Sequence, residues 1–166
     1  MAGYTHASSY TPAIGRINQE DVGKLALRIA LGVLILFHGV AKLTGGIDFI
    51  TDVVVKAGLP SFVAYGVYVG EVVAPLMLIA GWHTRLGAAL IAMNRLFAIG
   101  LVHVSELLQI GQSGGWALEL QGMFLFAALA VELLGPGRLS VDARRGAAGR
   151  FTVDAQQGAA ATSQAN

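Results

Sequence analysis

Between Leu25 and Leu43 the chain reads LALRIALGVLILFHGVAKL, an apolar run broken only by Arg28, His38 and Lys42. At about 1.5 Å per residue a helix of this length covers roughly 28 Å, the hydrocarbon thickness of a bilayer. Ionisable groups on a membrane helix are costly and face protein or a wet cavity rather than lipid. Steps of three, four and seven residues put Arg28, Gly32, Ile35, His38, Gly39 and Lys42 on one side of this helix. Ile29, Val33, Leu36 and Val40 fall on the other. One face is therefore lipid-seeking and the other packed and polar, with Gly32 and Gly39 allowing close helix contact.

Charged residues make up 13% of the 166 residues, against about 25% in soluble domains. The net charge of +1 provides no basic field for nucleic acid. With no cysteine, disulfides, thiol chemistry, Cys-ligated zinc and iron–sulfur clusters are excluded within this chain. Residues 1–23 form a polar tail, with a short interfacial helix expected near Asn18–Gly23. No A-x-A-like site follows the first apolar run, so that run is expected to remain as a span.

The expected membrane domain covers residues 24–145 with spans at about 25–43, 62–80, 85–104 and 116–134. Ile47–Lys56 is a short amphipathic piece, with Ile47, Ile50 and Val54 apolar and Asp48, Asp52 and Lys56 polar. Gly58-Leu59-Pro60 is a turn, and Pro75 is expected to kink the second span. Gly81-Trp82-His83-Thr84 is so short that spans two and three must be antiparallel neighbours. Ser105–Gly115 is a polar loop, and Gly135-Pro136-Gly137 stops the fourth span. Residues 146–166 are rich in Ala, Gly, Gln and Ser and are expected to be disordered. Trp82 and Trp116 sit at span ends, as interfacial belt residues do.

These elements predict an all-α, multi-pass four-helix bundle. Arg16, Lys24, Arg85, Arg138, Arg144, Arg145 and Arg150 lie on the side of the termini, and Lys42 and Lys56 on the other. The positive-inside bias then places both termini in the cytoplasm and the protein in the cell inner membrane.

Depth follows from helical rise. His38 lies about 20 Å along the first span, and Glu71 about 13 Å into the second. Arg95 and His103 lie about 15 and 27 Å along the third, and Glu119 falls in the first turn of the fourth. His38, Lys42, Glu71, Arg95, His103 and Glu119 are therefore expected to converge in the middle and outer layers. Asn94 faces away from His103 and is read as a packing residue. Arg28 and Glu132 share a depth at the cytoplasmic end and are expected to pair, while Arg85 marks a helix boundary.

A polar cluster of this kind suits a quinone headgroup, whose carbonyls need donors and whose reduction needs protons. His38, Glu71 and His103 are the candidates for proton handling; His38, Lys42, Arg95, His103 and Glu119 are those for headgroup binding. No H-x-x-x-H or E-x-x-H spacing supports a metal site, and nothing selects bis-histidine haem. The same charges also fit a non-catalytic scaffold, in which they specify helix pairing. A transporter is less well served by four short spans without a repeat.

RIALGVLILFHGVAKL at 28–43, GLP at 58–60, VGEVVAPLMLIAGWHTRLGAAL at 69–90 and GPGRLSVDA at 135–143 together resemble the DoxX family of small membrane proteins. The resemblance implies a four-helix membrane bundle and a link to respiratory redox chemistry. Its founding members are described as a membrane subunit of thiosulfate:quinone oxidoreductase, and other relatives are associated with oxidative-stress and thiol-homeostasis complexes. The family's recurring polar residues fall on His38, Lys42, Glu71, Arg85 and His103. The implied partners are the lipid bilayer and a redox protein, soluble or membrane-bound, on which any sulfur transfer must occur. A homo-oligomer is also admitted.

Overall fold

The computed structural model describes residues 17–111 and 114–146. The expected disordered tail after residue 146 and most of the N-terminal tail lie outside them. Helix α1 spans Gln19–Gly45. It starts on a capping box: the Asn18 side chain accepts from the Asp21 N–H at 2.9 Å, and the Asp21 carboxylate faces the Asn18 N–H. Two of the orphan donors at a helix start are thereby satisfied. The separate interfacial helix expected at 18–23 is instead the first turns of α1, because the cap at Asn18 nucleates a helix that nothing interrupts before Gly46.

Helix α2 covers Asp48–Lys56. Helix α3 runs from Ser61 to Ala80 and changes pitch along its length. It opens as a tight 3₁₀ turn, Ser61–Tyr65, widens to a π-turn at Val69–Val73, and closes as regular α-helix from Ala74. Helix α4 covers Thr84–Val102 and helix α5 covers Glu119–Leu134. Among the described residues, α1, α3 and α4 are the helices long and apolar enough to cross a membrane.

The fourth apolar segment begins later than its hydropathy predicts. Trp116 pairs back with Ile110 in an isolated antiparallel bridge, and its indole N–H donates to the Leu107 carbonyl at 2.7 Å. That folded loop removes the first residues from the helix, leaving 16 residues, or roughly 24 Å.

The main core draws on all four long helices: Leu31 and Ile35 from α1, Ala74 and Leu78 from α3, Ala88, Ile91 and Ala92 from α4, and Phe124, Ala128 and Val131 from α5. A second cluster, Ile47, Val54, Ala64 and Val67, joins α2 to the start of α3. The outside is apolar. Phe37, Val40, Leu76, Leu96, Phe126 and Leu133 are all exposed, as lipid-facing side chains are. The predicted inner face of α1 is observed: Arg28, Gly32, Ile35 and Gly39 are buried, and His38 and Lys42 are half-buried.

Close approach of α1 to α3 depends on two glycines. A Cβ on Gly39 would lie 2.1 Å from the Glu71 carbonyl oxygen, and one on Gly32 would lie 2.8 Å from Ile79 Cγ1. Pro75 brings no N–H to the Glu71 carbonyl four residues earlier, and Gly39 packs its Cα against that same carbonyl. The kink expected at Pro75 is expressed as the π-turn just before it.

Candidate functional site

Glu71 sits in the π-turn of α3 and is 3% exposed. A π-turn carries an extra residue, shifts the side chains that follow it, and often marks a functional position. Here the Glu71 carboxylate meets cations from two other helices. Lys42 Nζ of α1 lies 2.5 Å from Glu71 Oε2. The Arg95 guanidinium of α4 donates through Nη2 to Glu71 Oε1, and Asn94 Nδ2 donates to the same oxygen at 3.3 Å. Three helices are thus tied at one carboxylate, and removing that carboxylate would leave both cations uncompensated.

The cluster forms part of the wall of a cavity of about 680 Å³. His38, Lys42, Glu71, Arg95 and His103 all line it, together with Asn94 and Gln121. Most of the wall is apolar, with α2 contributing Ile50, Val53 and Val54, and α5 contributing Leu120 and Phe124. Val69, Met93 and Phe97 line the cavity and are also exposed. Phe49 of α2 and Leu120 of α5 line it and are exposed as well, so the cavity opens to the outer face of the bundle.

The two histidines are held differently. His38 Nδ1 lies 2.9 Å from the Leu34 carbonyl of its own helix; with the proton there, Nε2 is left as an acceptor. The His38 ring meets Phe124 edge-on, with centroids 5.6 Å apart. The Arg95 guanidinium lies 5.9 Å from the same Phe124 ring, so Phe124 braces both polar side chains. His103 ends α4 and bonds through Nδ1 to Glu106 Oε2 at 3.0 Å. Among the described residues, no three His, Asp or Glu side chains gather as a metal-ligand set.

Of the six residues expected to converge, five line the cavity. Glu119 does not: it is exposed, and its carboxylate lies against Gly115 in the preceding loop. The helix begins at Glu119, whose side chain turns to the preceding loop while Leu120 and Gln121 face the cavity. Asn94, read as a packing residue, packs against Gly70 of α3 and also supplies a donor to Glu71. Its adjacency to Arg95 was the available signal, but side-chain direction on an ideal helix points the two apart. Gln121 stands out in the fourth segment as an amide within an apolar run, though nothing in the sequence aims it at the cavity; Phe124 has no distinguishing signal there.

The opposite end of the bundle is closed by a separate polar network. Arg28 donates to the Pro136 carbonyl at 2.7 Å through Nη1 and to the Leu139 carbonyl at 2.8 Å through Nη2. It takes these backbone acceptors and not Glu132, because the Gly135-Pro136-Gly137 turn, with positive φ at both glycines, carries its carbonyls over the start of α1. Asp21 accepts from the Arg138 N–H at 3.0 Å. Asp142 caps α4, accepting from the His83 and Thr84 N–H groups at 2.8 Å each. Burial alone would raise the Asp142 pKa, but those backbone N–H groups and the neighbouring His83 hold it below the usual carboxylate value. The GPGRLSVDA segment is therefore a clamp across the ends of α1, α4 and α5.

Comparison with known proteins converges on the same half of the chain. Residues 23–104 match the family model described as DoxX. The protein named "Putative oxidoreductase CatD" from Bacillus subtilis (strain 168) is 32% identical over 82 residues, covering 48% of this chain and 58% of that relative. The match therefore spans less than two thirds of the relative's own length. No solved structure matches the chain.

Proposed function

Because residues 23–104 match the DoxX family model, we propose that this chain is a DoxX-type membrane subunit of a quinone-linked oxidoreductase. The observation that carries the reading is one laterally open, mostly apolar cavity holding a buried carboxylate–cation cluster and two half-buried histidines. A quinone is an amphiphile with two carbonyl acceptors, and its tail can enter such a mouth from the lipid. His38 and His103 are the groups that hydrogen-bond the carbonyls and pass protons, since histidine titrates near neutral pH. Glu71, occupied by Lys42, Arg95 and Asn94, serves as the post that positions these donors. A redox partner protein supplies the electrons, and any sulfur transfer takes place on it, because this chain has no cysteine of its own. The oxidoreductase name carried by the Bacillus relative supports the same reaction class.

In this reading α5 is a short fourth span, and both termini lie in the cytoplasm of a bacterial inner membrane. The chain lacks cysteine, so single cysteines at Gln19, Gly58 and Gly146 report topology cleanly. An impermeant maleimide on intact cells should label only the Gly58 variant.

The function is tested by purifying the full chain from native membranes, extracting it with organic solvent, and assaying quinone. Stoichiometric quinone is expected, falling about tenfold in His38→Ala as a hydrogen-bonding group is lost from the pocket. One observation favours a second reading: both Glu71 oxygens are already satisfied within the chain. A quinone-free preparation that co-purifies with a soluble oxidoreductase would replace the first reading with that of a non-catalytic anchor.

A further inference from the structure

The charges lining the cavity do not balance. Glu71 is the one carboxylate in its wall, while Lys42 and Arg95 both line it and both bond to Glu71. With the histidines neutral, the wall carries one positive charge in excess. Glu106 bonds to His103, and Glu119 lies exposed against Gly115. Arg95 is 6% exposed, and its Nε is buried with no partner. Lys42 donates one hydrogen bond to Glu71 and has further N–H donors to give. An arginine cannot shed its proton to relieve the imbalance, and a buried uncompensated charge is costly.

Resting on the quinone reading, we propose that the headgroup taken by this cavity is a mono-anion. Its negative charge would lie against the Lys42–Arg95 side of the cluster, closest to the half-buried Lys42 ammonium, with its apolar part along α2, α3 and α4. The ligand class is an acidic ring amphiphile, such as a hydroxyquinone whose enol is ionised, in preference to a neutral quinone of equal size.

The test uses the full chain in detergent and three probes of similar bulk. These are 2-hydroxy-1,4-naphthoquinone, which is anionic at neutral pH, its neutral 2-methoxy ether, and 2-naphthoate, an anion that is not a quinone. Isothermal titration should show the hydroxyquinone bound at least about tenfold more tightly than the ether, as hydrogen bonds to a charged group allow. Gln121→Glu, which adds a carboxylate to the wall without touching the Glu71 bonds, should erase that preference. Lys42→Met should reduce it. Equal binding of hydroxyquinone and ether overturns the anion proposal and leaves the quinone reading intact. Naphthoate bound as tightly as the hydroxyquinone upholds the charge and overturns the quinone reading. Binding of none of the three overturns both, and a preference unmoved by Gln121→Glu removes the assignment to this cavity.

Discussion

The two ends of the bundle spend the same kinds of residue in opposite ways. At the clamped end, Arg28, Asp21 and Asp142 bond to backbone groups of the 81–84 link and the 135–143 segment. Their partners are main-chain dipoles, the fit is close, and the groups hold helix ends together. At the cavity end, Lys42 and Arg95 both bond to Glu71, joining three helices, and the cluster borders a mostly apolar cavity. A network that closes on the backbone makes structure. A charge cluster that borders a cavity, with one cation in excess, is what the ligand proposal rests on.

The comparison is broken most severely at its shared centre. Glu71→Ala should strand Lys42 and Arg95 and cost about 3–5 kcal/mol, the usual penalty for breaking a buried pair. Thermal unfolding in detergent should show a large loss, or folded protein should fail to accumulate. An unfolding midpoint unchanged from wild type would mean that the cluster is wetter than its burial implies.

Gly39→Ala is expected to cost less, about 1–3 kcal/mol, as overpacking does. Its methyl group would strike the Glu71 carbonyl oxygen, so the π-turn must move and ligand affinity should fall along with stability. Gly45→Ala is the control, since nothing lies within 4 Å of a Cβ there.

Asp142→Ala should cost about 1 kcal/mol through loss of the cap on α4, with ligand binding unchanged. The Asp142 pKa is lowered in the fold, so its contribution is present above the unfolded carboxyl value of about 3.9. It is lost as pH falls further, through the lower folded value. The gap in unfolding temperature between wild type and variant should therefore be full at neutral pH and close in strong acid. A gap independent of pH would show that the cap acts without its charge. Altered ligand affinity in this variant would show that the two ends are coupled.

Much of the fold was legible because the bilayer imposes a simple rule. Long apolar runs become helices, and their ionisable residues turn inward; the inner face of α1 and the approach at Gly32 and Gly39 followed from that spacing. The gathering of His38, Lys42, Glu71, Arg95 and His103 followed from depth alone. Glu119 and the Arg28–Glu132 pairing did not hold, for one reason: depth counts residues along a straight helix and knows nothing of loops. The Ile110–Trp116 fold shortens α5, and the glycine turn at 135–137 offers Arg28 carbonyls before Glu132 can reach it.

By itself, the sequence determined which segments are helical and apolar, and which charged residues must find partners, because hydropathy and helical period are local properties of the chain. Tertiary structure alone decided that Glu71 binds Lys42, Arg95 and Asn94 together, and that a cavity remains beside them. It also decided that GPGRLSVDA is a clamp. Those outcomes depend on a π-turn, a folded loop and the close seating of glycine against a carbonyl, which arise only once distant segments pack.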